Sequence, residues 1–419
     1  MRIGFSFIIR IIFLIGWAAT IPAVADALEY NLGAGVFESV RANQNYWDPD
    51  TLRFDRDEVY TVSSGYADLS ISPGGNITAF LSGTADWIHD FEPESEDDLD
   101  VRLLGAYLGY TGENLSADLG RKRFVFGPGL ILDDDETGAT FLWSPGKSHY
   151  VEIKAARAIE SSPLASLTAG YRPGFLEKIE LFGAWMQDRD DGFADLLNRQ
   201  AALDIFSGDG DLGWLGVSAD LFISDLYVSG IGMWQTGRLT VTHPQGENDR
   251  DLSAWLFDAA CSYNLTSAFS TAIFLFAASG DRHPAGGDIH AFVSPMPYNP
   301  RADIFFSGGL DGSDITEGFS LAGVRWPGVI APGVELSWQP RPEWLAILTG
   351  VILFPEDGPG GDRTPYGWET DLTIARTWGD FNEVFVGLGL FMPGELLESP
   401  AGERPDPILG GTAGISLFF

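Results

Sequence analysis

Charged residues stand out of phase with the apolar positions of alternating stretches, and this phase decides what chemistry they can do. Carboxylates stand at Asp68, Asp86, Asp118, Asp220, Asp258, Glu369, Asp371 and Glu383; basic groups concentrate nearby at Arg102, Arg121, Lys122, Arg123, Lys154 and Arg157. In an extended strand, alternate side chains point to opposite faces. Carboxylates opposite a basic ladder across a constriction create a transverse field, which sorts solutes by size, charge and dipole without touching a bond. A plainer use competes with this one: the same charges can solvate a water-filled lumen and pair with each other.

Arg121 and Arg123 share parity with Leu119, so strict alternation sends them away from the carboxylate face. A bulge that re-aims them, or a place at the rim above a membrane, would resolve the conflict. The reading adopted here is an inward, rim-level position. The expected pore-lining set is therefore Arg102, Arg121, Arg123, Lys154, Asp86, Asp118, Asp258 and Asp371.

Bond-making chemistry finds little support. The histidines are His89, His149, His243, His283 and His290. His89 lies beside Asp90 and near Asp86, an acid–histidine pairing able to activate water. The sequence places no nucleophile or oxyanion donor beside it, no metal-binding histidine pair at helical spacing occurs, and no segment has calcium-loop spacing. Neither catalysis nor a cofactor or metal is expected, and the acidic loops read as solvated.

The elements that must position these charges are strands. Eighteen segments alternate, at 27–38, 58–72, 76–90, 100–111, 114–125, 136–144, 148–158, 164–172, 177–187, 212–222, 225–237, 251–263, 267–279, 332–339, 343–354, 368–378, 381–392 and 407–419. Leu28, Tyr30, Leu32, Ala34 and Val36 show the pattern, as do Val384, Val386, Leu388 and Leu390. Each segment approximates the 9–11 residues that a tilted membrane-spanning strand needs. Sixteen strands is the alternative, with 136–144 and 148–158 merging into a loop and hairpin.

Connections alternate in kind. Pro73-Gly74-Gly75, Gly112-Glu113, Pro145-Gly146-Lys147, Pro173-Gly174 and Gly379-Asp380 are short and built from turn formers. The others are mostly long and acidic: 39–57, 91–99, 126–135, 188–211, 238–250, 280–331, 355–367 and 393–406, with 159–163 a short exception. Short–long alternation is what a barrel with periplasmic turns and extracellular loops produces. Trp87, Trp143, Trp185, Trp234, Trp338, Trp344, Trp368 and Trp378 sit near segment ends, where girdles at the lipid headgroups belong. The stretch 280–331 carries Phe292, Phe305, Phe306 and Phe319 and is long enough to fold back and plug the lumen.

Composition narrows the class. Residues 1–25 read as a secretory signal, with Arg2 and Arg10 before an apolar run and Ala23-Val24-Ala25 at the cleavage point. Cys261 is the sole cysteine, so no intramolecular disulfide forms. A net charge of −34 repels phosphate backbones and excludes nucleic acid as a partner. With 45% hydrophobic residues the chain is not disordered. The last residue, Phe419, closes the alternating run Leu409, Gly411, Ala413, Ile415 and Leu417, and this ending resembles the C-terminal assembly signal of bacterial outer-membrane proteins.

Residues 115–135 read LSADLGRKRFVFGPGLILDDD. Gly120-Arg121 followed by Gly127-Pro128-Gly129 resembles the glycine–arginine strand and Gly-rich loop of the bacterial alginate export family of outer-membrane porins. Lys122 stands where that family commonly has glutamine, and the chain's acidity departs from the family's electropositive pore. The resemblance implies an eighteen-stranded barrel and a saccharide-passing porin.

The expectation is an all-β, transmembrane antiparallel β-barrel over residues 26–419, in the bacterial outer membrane. It would act as a passive channel for small hydrophilic solutes or saccharides. General diffusion, or adhesion through the loops, is the alternative. Its partners would be outer-membrane lipid and lipopolysaccharide, with the barrel assembly machinery during insertion, and it would work as a monomer or trimer.

Overall fold

A computed structural model of the chain describes residues 29–48, 53–72, 75–91, 98–158, 162–173, 176–189, 191–192, 207–243, 246–281, 287–295, 319–321, 328–358, 364–379, 382–398 and 404–419. The segment read as a signal, 1–25, and most of 280–331 lie outside these residues. The strands are β1 (Glu29–Asp48), β2 (Arg53–Ser72), β3 (Ile77–Asp90), β4 (Asp98–Thr111), β5 (Leu115–Phe126), β6 (Leu132–Trp143) and β7 (His149–Arg157). They continue with β8 (Pro163–Tyr171), β9 (Leu176–Asp188), β10 (Ser207–Ile223), β11 (Leu226–His243), β12 (Gly246–Thr266) and β13 (Phe269–Ala278). The short β14 (Val293–Pro295) and β15 (Phe319–Leu321) precede β16 (Val329–Arg341), β17 (Trp344–Leu353), β18 (Gly367–Trp378), β19 (Asn382–Pro393) and β20 (Ile408–Phe418).

All of these except β14 and β15 form one 18-stranded antiparallel sheet. It closes on itself: β1 pairs with β2 on one edge and with β20 on the other, from Gly35–Phe418 to Gln44–Leu409. Closure lets strand N–H and C=O groups pair around the whole wall without an open edge, which is the condition for strands to cross lipid. The backbone of Phe419 exchanges hydrogen bonds with Ala34, finishing the seam while its ring stays 81% exposed.

The outward face is apolar because its alternation is read by lipid. Leu81, Leu108, Leu119, Leu181, Leu215, Ile273, Val334 and Leu388 are exposed on it. Trp368 and Trp378, exposed at opposite ends of β18, stand ten residues apart. At ~3.3 Å per residue and a tilt near ~40°, that separation spans about 25 Å, the height of an outer-membrane apolar band. Above the exposed, paired Trp234 and the Trp255 opposite it, the outward face turns polar: Arg238 Nε lies 3.3 Å from Asp251 Oδ1, and Thr240 donates to Asp249 at 2.8 Å.

Several connections read as loops are instead strand. β1 and β2 run on through most of 39–57, β6 begins at Leu132 within 126–135, and β11 and β12 continue through most of 238–250. The reason is physical. Once above the lipid the ladder continues, but nothing demands apolar residues on its outward side, so the alternation that marks a strand fades while the hydrogen bonding persists.

Inside, the extracellular half of the barrel holds a hydrophobic core. Phe124, Phe126, Leu164, Met186, Leu212, Trp214, Met233, Leu256, Phe276, Leu353 and Phe391 contribute inward side chains from strands between β5 and β19. Ile289, Phe292 and Val293 enter it from the segment after β13. Above the last β12–β13 pair, Leu256–Ala278, the free edge of β12 is taken by that segment: Ser253 N–H donates to Ile289 O at 2.9 Å, and Ile289 N–H to Asp251 O at 2.8 Å. The chain then turns into the lumen, where the fully buried Gln235 of β11 brackets one residue. Its Nε2 donates to Val293 O at 2.7 Å, and Val293 N–H donates to its Oε1 at 3.0 Å.

Candidate functional site: the lumen

No residue of β1 to β4 belongs to that core among the described residues. Their inward faces are predominantly polar, with Phe37, Val62, Phe80 and Ile88 interspersed. β1 supplies Ser39, Arg41 and Asn43; β2 supplies Glu58, Tyr60, Ser64, Tyr66 and Asp68; β3 supplies Thr84 and Asp86; β4 supplies Asp100 and Arg102. Asn43 donates to the buried Glu58 at 2.6 Å, and the Arg41 guanidinium lies 5.9 Å over the Tyr60 ring. Arg102 is paired with the buried Asp86, and its Nε lies 2.9 Å from Asp100 Oδ2. A register shift at Ser82/Gly83, where β4 carries an extra residue between Leu103 and Gly105, fits Arg102 inward while Leu103 and Leu108 both face lipid.

Below the core, β5, β7 and β9 each direct a lysine into the lumen, and each meets a carboxylate. Lys122 pairs with Asp118 and lies 5.7 Å over the Phe124 ring. Lys154 reaches Glu152 at 2.7 Å and donates to Val125 O at 2.9 Å. Lys178 reaches Glu180 at 3.0 Å and Asp220 at 3.8 Å. Glu180 also accepts from Tyr150 and, at 2.9 Å, from Ser218, while Tyr227 donates to Asp220 at 2.9 Å. Tyr150 lies flat against the wall because Gly170 opposite it has no Cβ; one built there would sit 2.1 Å from the ring. Lysines paired in this way retain spare N–H groups, so the row offers donors without a large net field.

Of the expected set, the register puts Arg102, Lys154, Asp86, Asp118, Asp258 and Asp371 on the inward face. Asp258 and Asp371 stand on strands that carry the apolar core, and Asp371 is only 7% exposed, so it does not line open lumen. Arg121 and Arg123 do not point inward. β5 pairs with β4 and β6 without any register shift, Arg121 lies opposite the outward Ala106, and Leu119 beside it is 67% exposed. No bulge re-aims them, and plain alternation wins. Lys178, Glu180 and Tyr150 line the lumen but are absent from the expected set, although Lys178 and Glu180 alternate with the exposed Ile179 and Leu181 on a segment that alternation marks as strand.

A closed barrel with lipid-facing leucines, tryptophan girdles and a part-filled polar lumen defines an outer-membrane β-barrel. No family model and no curated protein sequence matches the chain. Solved structures do. The barrel is similar to OccAB1 of Acinetobacter baumannii (8% identity, TM-score 0.60, 93% of this chain and 96% of that one). It is also similar to two Pseudomonas aeruginosa structures at 9% identity: OccK9 (OpdG), with a TM-score of 0.59, and OccK2 (OpdF) in complex with glucuronate, with 0.57. Both cover 93% of this chain and 98% of their own. At such identities the shared property is the fold.

Proposed function

We propose that the chain is a selective passive channel for small hydrophilic solutes, saccharides among them. Solutes descend along the polar wall of β1 to β4 and then past the lysine row of β5, β7 and β9. The observation that carries this reading is the asymmetry of the interior: one sector is sealed by apolar packing, while the β1 to β4 sector contributes nothing to that core among the described residues and presents mainly charged and hydroxyl-bearing side chains. A dead structural barrel has no reason to leave that sector polar. A general porin has no reason to fill the other.

The glycine–arginine strand and Gly-rich loop at 115–135 support a saccharide as the solute class, as does the bound glucuronate of the similar OccK2 barrel. The infolded 287–295 segment favours small solutes over a polymer. Tyr60, Tyr66 and Tyr107 offer rings for sugar faces, and the carboxylates and lysines offer partners for hydroxyls.

Planar-bilayer recordings with purified protein, together with liposome uptake of sugars graded in size, test the proposal. Small conductance and uptake confined to small sugars are expected. Large unselective conductance with oligosaccharide uptake, or no conductance at all, overturns it.

A further inference from the structure

Arg121, Arg123 and Arg157 have no place in the lumen, yet they stand together on the outside of the barrel. Arg121 and Arg123 are outward residues of β5, and Arg157 is exposed on the outward face of β7. Arg121 pairs across the ladder with Thr137, and one step beyond the Gly138–Ala156 pair Arg157 continues that row. Two strand spacings separate the two arginines, about 10 Å. The upper-girdle residue Trp185 is joined by ladder pairs to Ala165 and through it to Ala155, two residues below Arg157. The row therefore lies near the headgroup boundary of the outer leaflet.

Directly beneath it the wall is hollowed. Leu119, Ala139 and Ala155 form the next outward row down, followed by Ala117, Phe141 and Ile153. Alanines set between larger side chains leave a depression of about 530 Å³, lined almost wholly by apolar atoms. Arg123 is held by Asp133, with Nε–Oδ1 2.5 Å and Nη2–Oδ2 2.7 Å, and Arg121 Nε donates to Leu103 O at 2.6 Å. Arg157 and Arg121 lie within electrostatic reach of Glu136, and Arg121 also of Asp135, but neither carboxylate is hydrogen-bonded to either arginine in the way Asp133 holds Arg123. A cation at the lipid edge is costly, so such arginines are kept where anions meet them. Guanidinium groups match phosphate in a fork geometry.

We infer that this face holds a phosphorylated glycolipid of the outer leaflet, a lipid A. Its phosphates lie on Arg121 and Arg157, and an acyl chain lies in the hollow beneath. The groove and the cations are contiguous, and their order from solvent to mid-membrane, charge first and then an apolar slot, is the order of the parts of an acylated phosphosugar. A second copy of this chain would bring its own like charge to the same row.

Native mass spectrometry of the purified barrel, released from micelles with added lipids, tests this. Wild-type protein should retain lipid A bearing its phosphates, and should retain phosphatidylglycerol and dephosphorylated lipid A far less. Arg121→Gln with Arg157→Gln should weaken retention by roughly ten-fold or more, as loss of charge-assisted hydrogen bonds does. Ala139→Leu, which fills the slot and leaves both arginines, should weaken it as well. Heat-modifiability on gels confirms that each variant is a folded barrel. Equal retention by the arginine variant or by Ala139→Leu overturns the assignment, and so does equal retention of dephosphorylated lipid A or phosphatidylglycerol. Disulfide cross-linking of Ala139→Cys between barrels would show a second copy on the face and overturn it too.

Discussion

Gln235→Leu is the sharpest perturbation of the lumen. The side chain is fully buried, close in volume to leucine, and both of its amide atoms hold the backbone of Val293. Replacement removes two hydrogen bonds and leaves an N–H and a C=O inside an apolar core. Each orphaned group costs about 1–3 kcal/mol, a penalty that already contains the lost bond, so the docked segment loses roughly 2–6 kcal/mol relative to an undocked one. At about 1.4 kcal/mol per decade, the undocked population rises by about thirty-fold at the low end and about ten-thousand-fold at the high end. The barrel should hardly notice, because the wall ladder between β11 and its neighbours is untouched. Hydrogen exchange at 289–293 should quicken by that factor while exchange in β18 and β19 stays slow. Single-channel conductance should rise or flicker between two levels. Unchanged exchange at 289–293 in a folded variant would refute the claim that Gln235 pins the infolded segment.

Four further outcomes follow from the geometry. Deleting 286–318 should raise conductance, and unchanged conductance would reject the plug role of this segment. Lys154→Gln leaves Glu152 without its 2.7 Å partner, so the reversal potential in a salt gradient should move toward cation selectivity. Arg121→Gln with Arg123→Gln should leave it unmoved, because both face outward; a shift would place them in the pore after all. Gly170→Ala forces a Cβ to within 2.1 Å of the Tyr150 ring and should cost about 1–3 kcal/mol of barrel stability, seen as a lower denaturant midpoint, with Tyr150→Leu in the same chain restoring most of it.

The wall was legible because lipid reads every second residue. From β3 through β20 the barrel strands overlap segments already evident as alternation, and even the doubtful 136–144 and 148–158 are genuine strands, β6 and β7. The inward carboxylates Asp68, Asp118, Asp220 and Glu383 follow from the same parity. What the pattern could not carry lies where lipid stops reading. The extensions of β1, β2, β11 and β12 protrude into solvent, where Arg238 and Asp251 face outward as readily as an apolar pair would lower down. The apolar half of the lumen was hidden for the opposite reason. Met186, Leu212, Met233 and Phe276 are inward residues that look like lapses in a polar face until an infolded segment supplies their partners. Arg121 and Arg123 show the converse error: alternation was right, and the assumption that a cation must face water displaced it.

β5 shows how much rides on that parity. Within Arg121-Lys122-Arg123 the lysine points to the lumen and the arginines to the outside, so one tripeptide serves two environments. The choice of side chain matches each. Inside, Lys122 is a compact point charge resting on the Phe124 and Tyr107 rings and paired with Asp118, and a passing solute exchanges easily with such a group. Outside, a guanidinium offers a planar fork that grips an oxyanion at the edge of lipid. A register slip of one residue would turn Lys122 toward the headgroups and two arginines into the lumen together, and would carry Asp118, lower on the strand, into the apolar band. Gly120 helps fix the register: at φ +136 it approaches the β4 backbone so closely that a Cβ would sit 2.2 Å from Ala106 O. Only glycine allows β5 to lie there, and the placement of all three cations depends on that approach.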